Sequence, residues 1–237
     1  MHSSRPAAQP ETAVPETAPA GPYWDAVYQR RGATGVSWFQ SEPQTSLDLI
    51  RALAITAHTP VIDAGSGASP LTGQLAAAGF TDLTAVDISA EALEAARQRM
   101  AGRRAASRIR WIHTDLLGWQ PDRRYGLWHD RAVFHFLTET ASRTAYLATL
   151  RAALQPGGSV IIGTFGPDGP THCSGLPVTR YSARDLAGAL GPGFIVAGTR
   201  SEQHITPDGS IQPFTWIAAT LTGQADLARR PPASPSP

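Results

Sequence analysis

Between residues 59 and 165 short β-rich runs alternate with helix-patterned segments, and the first three runs end on or beside an aspartate. Residues 59–63 read as a first strand, followed by a helix over 70–78. Residues 83–87 read as a second strand, followed by a helix over 90–100 with Ser89 as its N-cap and Glu91 and Glu94 near its positive end. The pattern predicts a third strand over 109–114 and a fourth over 125–130. A long helix over 139–154, the turn Pro156-Gly157-Gly158, a fifth strand over 159–165 and a short helix over 182–190 follow. This rhythm belongs to a parallel sheet with crossover helices, whose ligands bind outside the carboxyl ends of the strands. It breaks at 194–204 and 211–221, two extended runs joined by Thr206-Pro207-Asp208-Gly209-Ser210. Proline presets one turn angle there and glycine supplies positive φ, which predicts a terminal antiparallel hairpin.

The chain has 237 residues, 42% of them hydrophobic, enough for one α/β domain with a sizeable core. A net charge of +1 with 16% charged residues lacks the footprint of a polyanion-binding surface, so nucleic acid is not an expected partner. The basic side chains other than histidine are all arginine, which excludes lysine Schiff-base or lysine general-base chemistry. A single cysteine, Cys173, allows neither an internal disulfide nor a cysteine-based metal cluster. With no signal-peptide pattern and no span of membrane length, the expected setting is cytoplasmic, without metal or membrane, as monomer or homodimer. Residues 1–22 and 223–237 are rich in Pro, Ala, Thr and Ser without hydrophobic periodicity and read as disordered tails around a domain over 23–222.

The segment Asp63-Ala64-Gly65-Ser66-Gly67 stands at the end of the first strand, where glycines let backbone approach a ligand and the next helix offers free N–H groups. By itself such a turn is compatible with simple tight packing. Asp87 at the end of the second strand and Asp115 after the third make a ligand with ribose hydroxyls the better reading, since a carboxylate can accept from both. A dinucleotide site requires a third glycine, and Pro70 stands in its place.

On these residues and this order of elements, the chain resembles class I S-adenosylmethionine-dependent methyltransferases over about residues 23–221. The resemblance implies an α/β, Rossmann-like, seven-stranded, mostly parallel sheet of order 3-2-1-4-5-7-6 and S-adenosyl-L-methionine as cofactor, with S-adenosyl-L-homocysteine as product. It assigns Asp63, Gly65 and Gly67 to the cofactor loop, Asp87 to the ribose, Ile88 to the adenine face, and Asp115 and Leu116 to the adenine edge. The aromatic leader over 23–58, with Trp24, Tyr28 and Trp38, is similar to the lids of thiopurine S-methyltransferase-like and methyltransferase-like lysine enzymes. Indole faces can shield a sulfonium, and Trp24 and Trp38 are assigned to the cofactor on that ground. The alternative is that these rings only fasten an N-terminal helix to the core.

The fourth-strand segment from Trp128 to Leu137 lacks the Asn-Pro-Pro-Tyr type motif of many DNA and glutamine methyltransferases. Asp130-Arg131 is similar to the corresponding segment of certain lysine methyltransferases, but His135 stands where they carry a second aspartate. Removing a proton from a nucleophile suits histidine, so His135 is the first candidate base and His129 the second, from a group that also holds His172 and His204. Asp130 is expected to serve both cofactor and catalysis. Arg131, Phe134, Arg180 and Tyr181 are expected at the acceptor, the last two from a Gly/Pro-rich loop over 166–181 that would cap the pocket. The expected activity is methylation of a small thiol, amine or hydroxyl. Protein lysine methylation, an NAD(P)-dependent oxidoreductase and a non-catalytic cofactor-binding protein are the alternatives.

Overall fold

The computed structural model describes residues 21–53 and 55–222. Most of both expected tails, residues 1–20 and 223–237, lies outside the described residues. Gly21 and Pro22 belong to the first turn of helix α1 (Gly21–Arg31), two residues before the domain start that the composition suggested. Proline is tolerated in a first helical turn, where its missing N–H has no helical partner to lose.

Helix α2 (Gln44–Ala52) precedes β1 (Val61–Ala64), α3 (Leu71–Ala77), β2 (Leu83–Asp87), α4 (Ala90–Met100) and β3 (Ile109–His113). Then come β4 (Tyr125–Arg131), α5 (Thr140–Ala153), β5 (Leu154–Phe165), a small hairpin of β6 (His172–Cys173) and β7 (Leu176–Pro177), and α6 (Ala183–Leu190). The chain closes with β8 (Phe194–Ile205) and β9 (Ile211–Leu221). The seven-stranded sheet has the order β3-β2-β1-β4-β5-β9-β8, which is the expected 3-2-1-4-5-7-6 once the small hairpin is set aside. Strands β1 to β5 run parallel, while β9 is antiparallel to both β5 and β8.

Both faces of the sheet are covered, which is why the central strands read as continuous apolar runs. Trp128, Tyr146, Leu150 and Ile162 centre one buried cluster, and Leu71, Leu83, Ile161 and Trp216 centre the other. Two local readings change. The expected turn at Pro156-Gly157-Gly158 is absorbed into β5 as a break in register, with Tyr125 opposite Leu154 but Leu127 opposite Ser159. The leader over 23–58 also divides: α2 sends Leu49 and Ile50 into the core and turns Ser46 to the crevice, while α1 and the chain after it form a separate aromatic cluster.

The strand order reverses between β1 and β4, and the crevice at that switch point is where an open α/β sheet receives its ligand. Ala64 pairs with Asp130 there, so the residues that follow each strand face each other across the opening.

Candidate active site

The loop after β1 is shaped by two glycines in the left-handed region, Gly65 at φ +67° and Gly67 at φ +53°. A Cβ on Gly65 would lie 2.0 Å from Val133 Cγ2, and one on Gly67 2.5 Å from the Tyr28 hydroxyl oxygen. The sequence therefore has glycine at these points both for the turn and for the close approach of β4 and α1. Gly67 N–H donates to Asp87 Oδ2 at 2.6 Å and Ser89 N–H to Asp87 Oδ1 at 2.8 Å. Burial pushes the Asp87 carboxyl up to about 6, against the pull of those two N–H groups. Each of its oxygens keeps a lone pair for a ligand. Asp115 accepts from Leu117 N–H at 2.9 Å, which folds the chain after β3 into a turn at the cavity wall.

Across the opening, His129 on β4 bonds through Nδ1 to Asp63 Oδ1 at 2.7 Å and through Nε2 to Ser46 Oγ at 2.9 Å. All three residues are buried and line the cavity. The second oxygen of Asp63, Oδ2, is buried without a partner. The roof is aromatic. Trp24 packs edge-on to Trp38 at 5.8 Å between ring centres and to Phe136 at 5.0 Å. Trp38 donates its indole N–H to the Tyr28 hydroxyl at 3.1 Å. Beneath these rings lies a cavity of about 280 Å³ that runs from Asp87 and Asp115 past Asp63 and His129 to Arg131 and Cys173.

A family model described as a methyltransferase domain matches residues 61–158, the stretch from β1 into β5 that carries the glycine loop, Asp87, Asp115 and His129. Residues 61–158 therefore carry the signature of a methyltransferase domain. No curated protein matches it in sequence. Among solved structures, the N-methyltransferase NodS of Bradyrhizobium japonicum WM9, in complex with S-adenosyl-L-homocysteine, is similar at a TM-score of 0.64 and 20% identity. That match covers 84% of this chain and 98% of NodS. A protein solved in the context of converting a disulfide bond into a thioacetal group during echinomycin biosynthesis is similar at a TM-score of 0.69 and 19% identity, over 89% of this chain and 100% of that one. An S-adenosylmethionine-dependent methyltransferase of Anabaena variabilis gives 0.66 and 17%, over 85% and 94%. These likenesses are of fold.

NodS, which shares this fold, is solved with S-adenosyl-L-homocysteine, the demethylated form of S-adenosylmethionine. The residues present fit it. Gly65 and Gly67 leave the room that a Cβ would fill, the orphaned Asp63 Oδ2 suits an ammonium group, and Asp87 offers two acceptors to a ribose diol. Ile88, Asp115 and Leu116 line the same end of the cavity, where adenine would be held.

Other expected site residues fall elsewhere in the structure. Asp130 is fully buried and faces away from the cavity, accepting from Val133 N–H at 3.0 Å, Phe134 N–H at 3.2 Å and the Tyr146 hydroxyl. It fixes the turn after β4, in which Ala132 takes the left-handed region at φ 69°. His135 does not line the cavity either. Its Nδ1 accepts from Phe165 N–H at 3.3 Å, its ring sits among Phe136, Phe165 and Phe214, and burial pushes its pKa down to about 3. A histidine held neutral among phenyl rings is poorly placed to take a proton from a ligand. Phe134 packs in the core against Tyr146 and Tyr181. Arg180 donates to Gly169 O at 3.3 Å, and neither it nor Tyr181 reaches the cavity. From the 166–181 loop only Cys173 lines it, with burial raising its thiol to about 11. His172 is exposed on β6, and His204 on β8 bonds to Ser37 O at 2.7 Å. Of the expected acceptor group, Arg131 alone is at the cavity wall. Ser46 and Gln40 line it without any local signal, because nothing in their neighbourhood announces a partner on β4 or β8.

Proposed function

We propose that this methyltransferase methylates a small-molecule nucleophile, a thiol, amine or hydroxyl, bound beneath the aromatic roof. The carrying observation is the aromatic roof: the cleft of about 280 Å³ is lined from the adenosine-side carboxylates to His129, and Trp24, Trp38 and Phe136 pack together along it. Such a cleft suits a small molecule better than a lysine presented on a protein surface.

When bound, S-adenosylmethionine supplies a methyl carbon already activated by a sulfonium. The protein's tasks are to align the nucleophile, exclude water and receive its proton. Trp24, Trp38 and Phe136 exclude water. The Asp63 carboxylate fixes the His129 Nδ1–H, which leaves Nε2 as an acceptor with the Ser46 hydroxyl bonded to it. His129, rather than His135, is the base in this reading, taking the acceptor's proton at Nε2 directly or across Ser46.

Incubation with methyl-labelled cofactor, a panel of thiols, phenols and amines, and a cell lysate tests the reading. Label is expected in the low-mass fraction. Label confined to protein would overturn it.

A further inference from the structure

We propose that Arg131 forms a carboxylate-recognition site in the acceptor end of the cavity, and that the methyl acceptor is therefore a small molecule bearing a carboxylate. This rests on the small-molecule reading above.

Arg131 is the last residue of β4 and the only cationic side chain that lines the cavity among the described residues. Its Nη1 donates to the Trp38 carbonyl at 2.8 Å, and its guanidinium carbon lies 4.6 Å from the centre of the Phe214 ring. Those two contacts fix the plane of the group. They leave Nε and Nη2 without a hydrogen-bond partner and almost without exposed surface, so a carboxylate reaches that edge with a small movement of the cavity wall. The two free nitrogens are neighbours on one edge of the guanidinium, the edge whose parallel N–H bonds match the two oxygens of a carboxylate.

Among the described residues no carboxylate forms an ion pair with Arg131. Glu202 is close enough for its field to favour the cation, but its oxygens accept from Gln40 Nε2 at 2.6 Å and Trp216 Nε1 at 2.7 Å. Burial lowers the Arg131 pKa to about 10, which still leaves a cation at neutral pH. An unpaired cation with two unmet donors is costly in a folded chain, and a bound anion would relieve that cost.

Position separates this site from the cofactor's. Asp63, Asp87 and Asp115 lie on or just after β1, β2 and β3, whereas Arg131 stacks on β9, beyond β5. The cavity is thus acidic at one side and basic at the other. Trp38 and Phe136 add apolar surface to the same cavity for the body of an organic acid.

The test uses full-length protein loaded with S-adenosyl-L-homocysteine and matched pairs differing only in the carboxylate: 3-mercaptopropionate and its amide, 4-hydroxybenzoate and its amide. The acids are expected to raise the melting temperature and the amides not. With S-adenosylmethionine, the acid is expected to be the better acceptor by at least tenfold in kcat/KM, chiefly through KM. Arg131→Met should abolish both preferences, and Arg131→Lys should restore part of them. Equal response of the wild-type protein to acid and amide would overturn the proposal, as would an acid preference that survives Arg131→Met. Tenfold weaker S-adenosyl-L-homocysteine binding by Arg131→Met, with no acid preference in the wild type, would also overturn it and give Arg131 to the cofactor's own carboxylate. Failure of the wild-type protein to bind S-adenosyl-L-homocysteine at all would instead sink the parent reading.

Discussion

Gly65 shows how little room the site leaves at a single residue. Alanine there meets two separate obstacles, the left-handed φ of +67° and the Val133 methyl 2.0 Å from the new Cβ. Valine is stiff at χ1 and cannot rotate away freely. Together these should cost about 2 kcal/mol or more, from overpacking and the left-handed penalty. We expect Gly65→Ala to lower the melting temperature and weaken S-adenosyl-L-homocysteine binding at least tenfold in calorimetry, and Val133→Ala in the same chain to recover much of the loss. Unchanged affinity in Gly65→Ala, or no recovery in the double variant, would show that the close approach is not what requires glycine. The glycine loop and Asp87 were legible in the sequence because both act through their own backbone neighbourhood. The role of His129 was only half legible. Its partners Asp63 and Ser46 are 66 and 83 residues away, and nothing within a window of sequence records such a meeting. His135 was put first on its chemistry and on its place opposite an aspartate of related enzymes, and neither says which side of the turn after β4 is sealed.

At the level of elements, α1 depends on α4 for its place over the cavity. Ser89 Oγ accepts from Ala92 N–H at 3.1 Å as the N-cap of α4 and donates to Asp25 Oδ1 at 2.7 Å; the same oxygen accepts from Glu91 N–H at 3.2 Å. Asp25 on α1 thus shares the capping of α4 and sits where the helix dipole favours an anion. Losing the Ser89 hydroxyl should cost about 1 kcal/mol in urea unfolding, the usual effect of an N-cap. Asp25→Ala should do similarly, and the double variant should lose less than the sum, since the two share one network. Because α1 carries Trp24, Asp25→Ala is further expected to speed amide exchange across residues 21–31. Strict additivity with unchanged exchange would mean that α1 is held by its aromatic contacts alone. Ser89 as a cap could be read from the sequence. The Asp25 bond could not, since the aromatic run from Tyr23 to Tyr28 gives no sign of the surface it meets.

For the molecule as a whole, the sheet was legible because alternating strands and helices, acidic strand ends and a Pro-Asp-Gly hairpin all favour one topology. What the sheet then does to the groups it encloses was not, because burial depends on packing from both faces at once. Asp130 and His135, five residues apart, are pushed in opposite directions with respect to stability. Burial raises the Asp130 carboxyl to about 6, so the folded chain holds its proton more tightly than the unfolded chain does. Its contribution is therefore fully present below the unfolded value, about pH 4, and is lost as pH rises through 6. Burial lowers His135 to about 3, so its contribution is present above the unfolded value, about 6.5, and is lost as pH falls towards 3. Asn keeps one acceptor oxygen and no titrating group at either position; at 130 it serves only one of the two backbone N–H groups, a loss that does not change with pH. Stability measured by urea unfolding between pH 4.5 and 7.5 should then diverge from wild type with opposite slopes, each at most about 1.4 kcal/mol per pH unit. Wild type should gain on Asp130→Asn as pH falls and lose ground to His135→Asn over the same range. Parallel curves would mean that neither group is as dry as its surroundings indicate, and would restore His135 to contention as a residue that meets solvent or substrate.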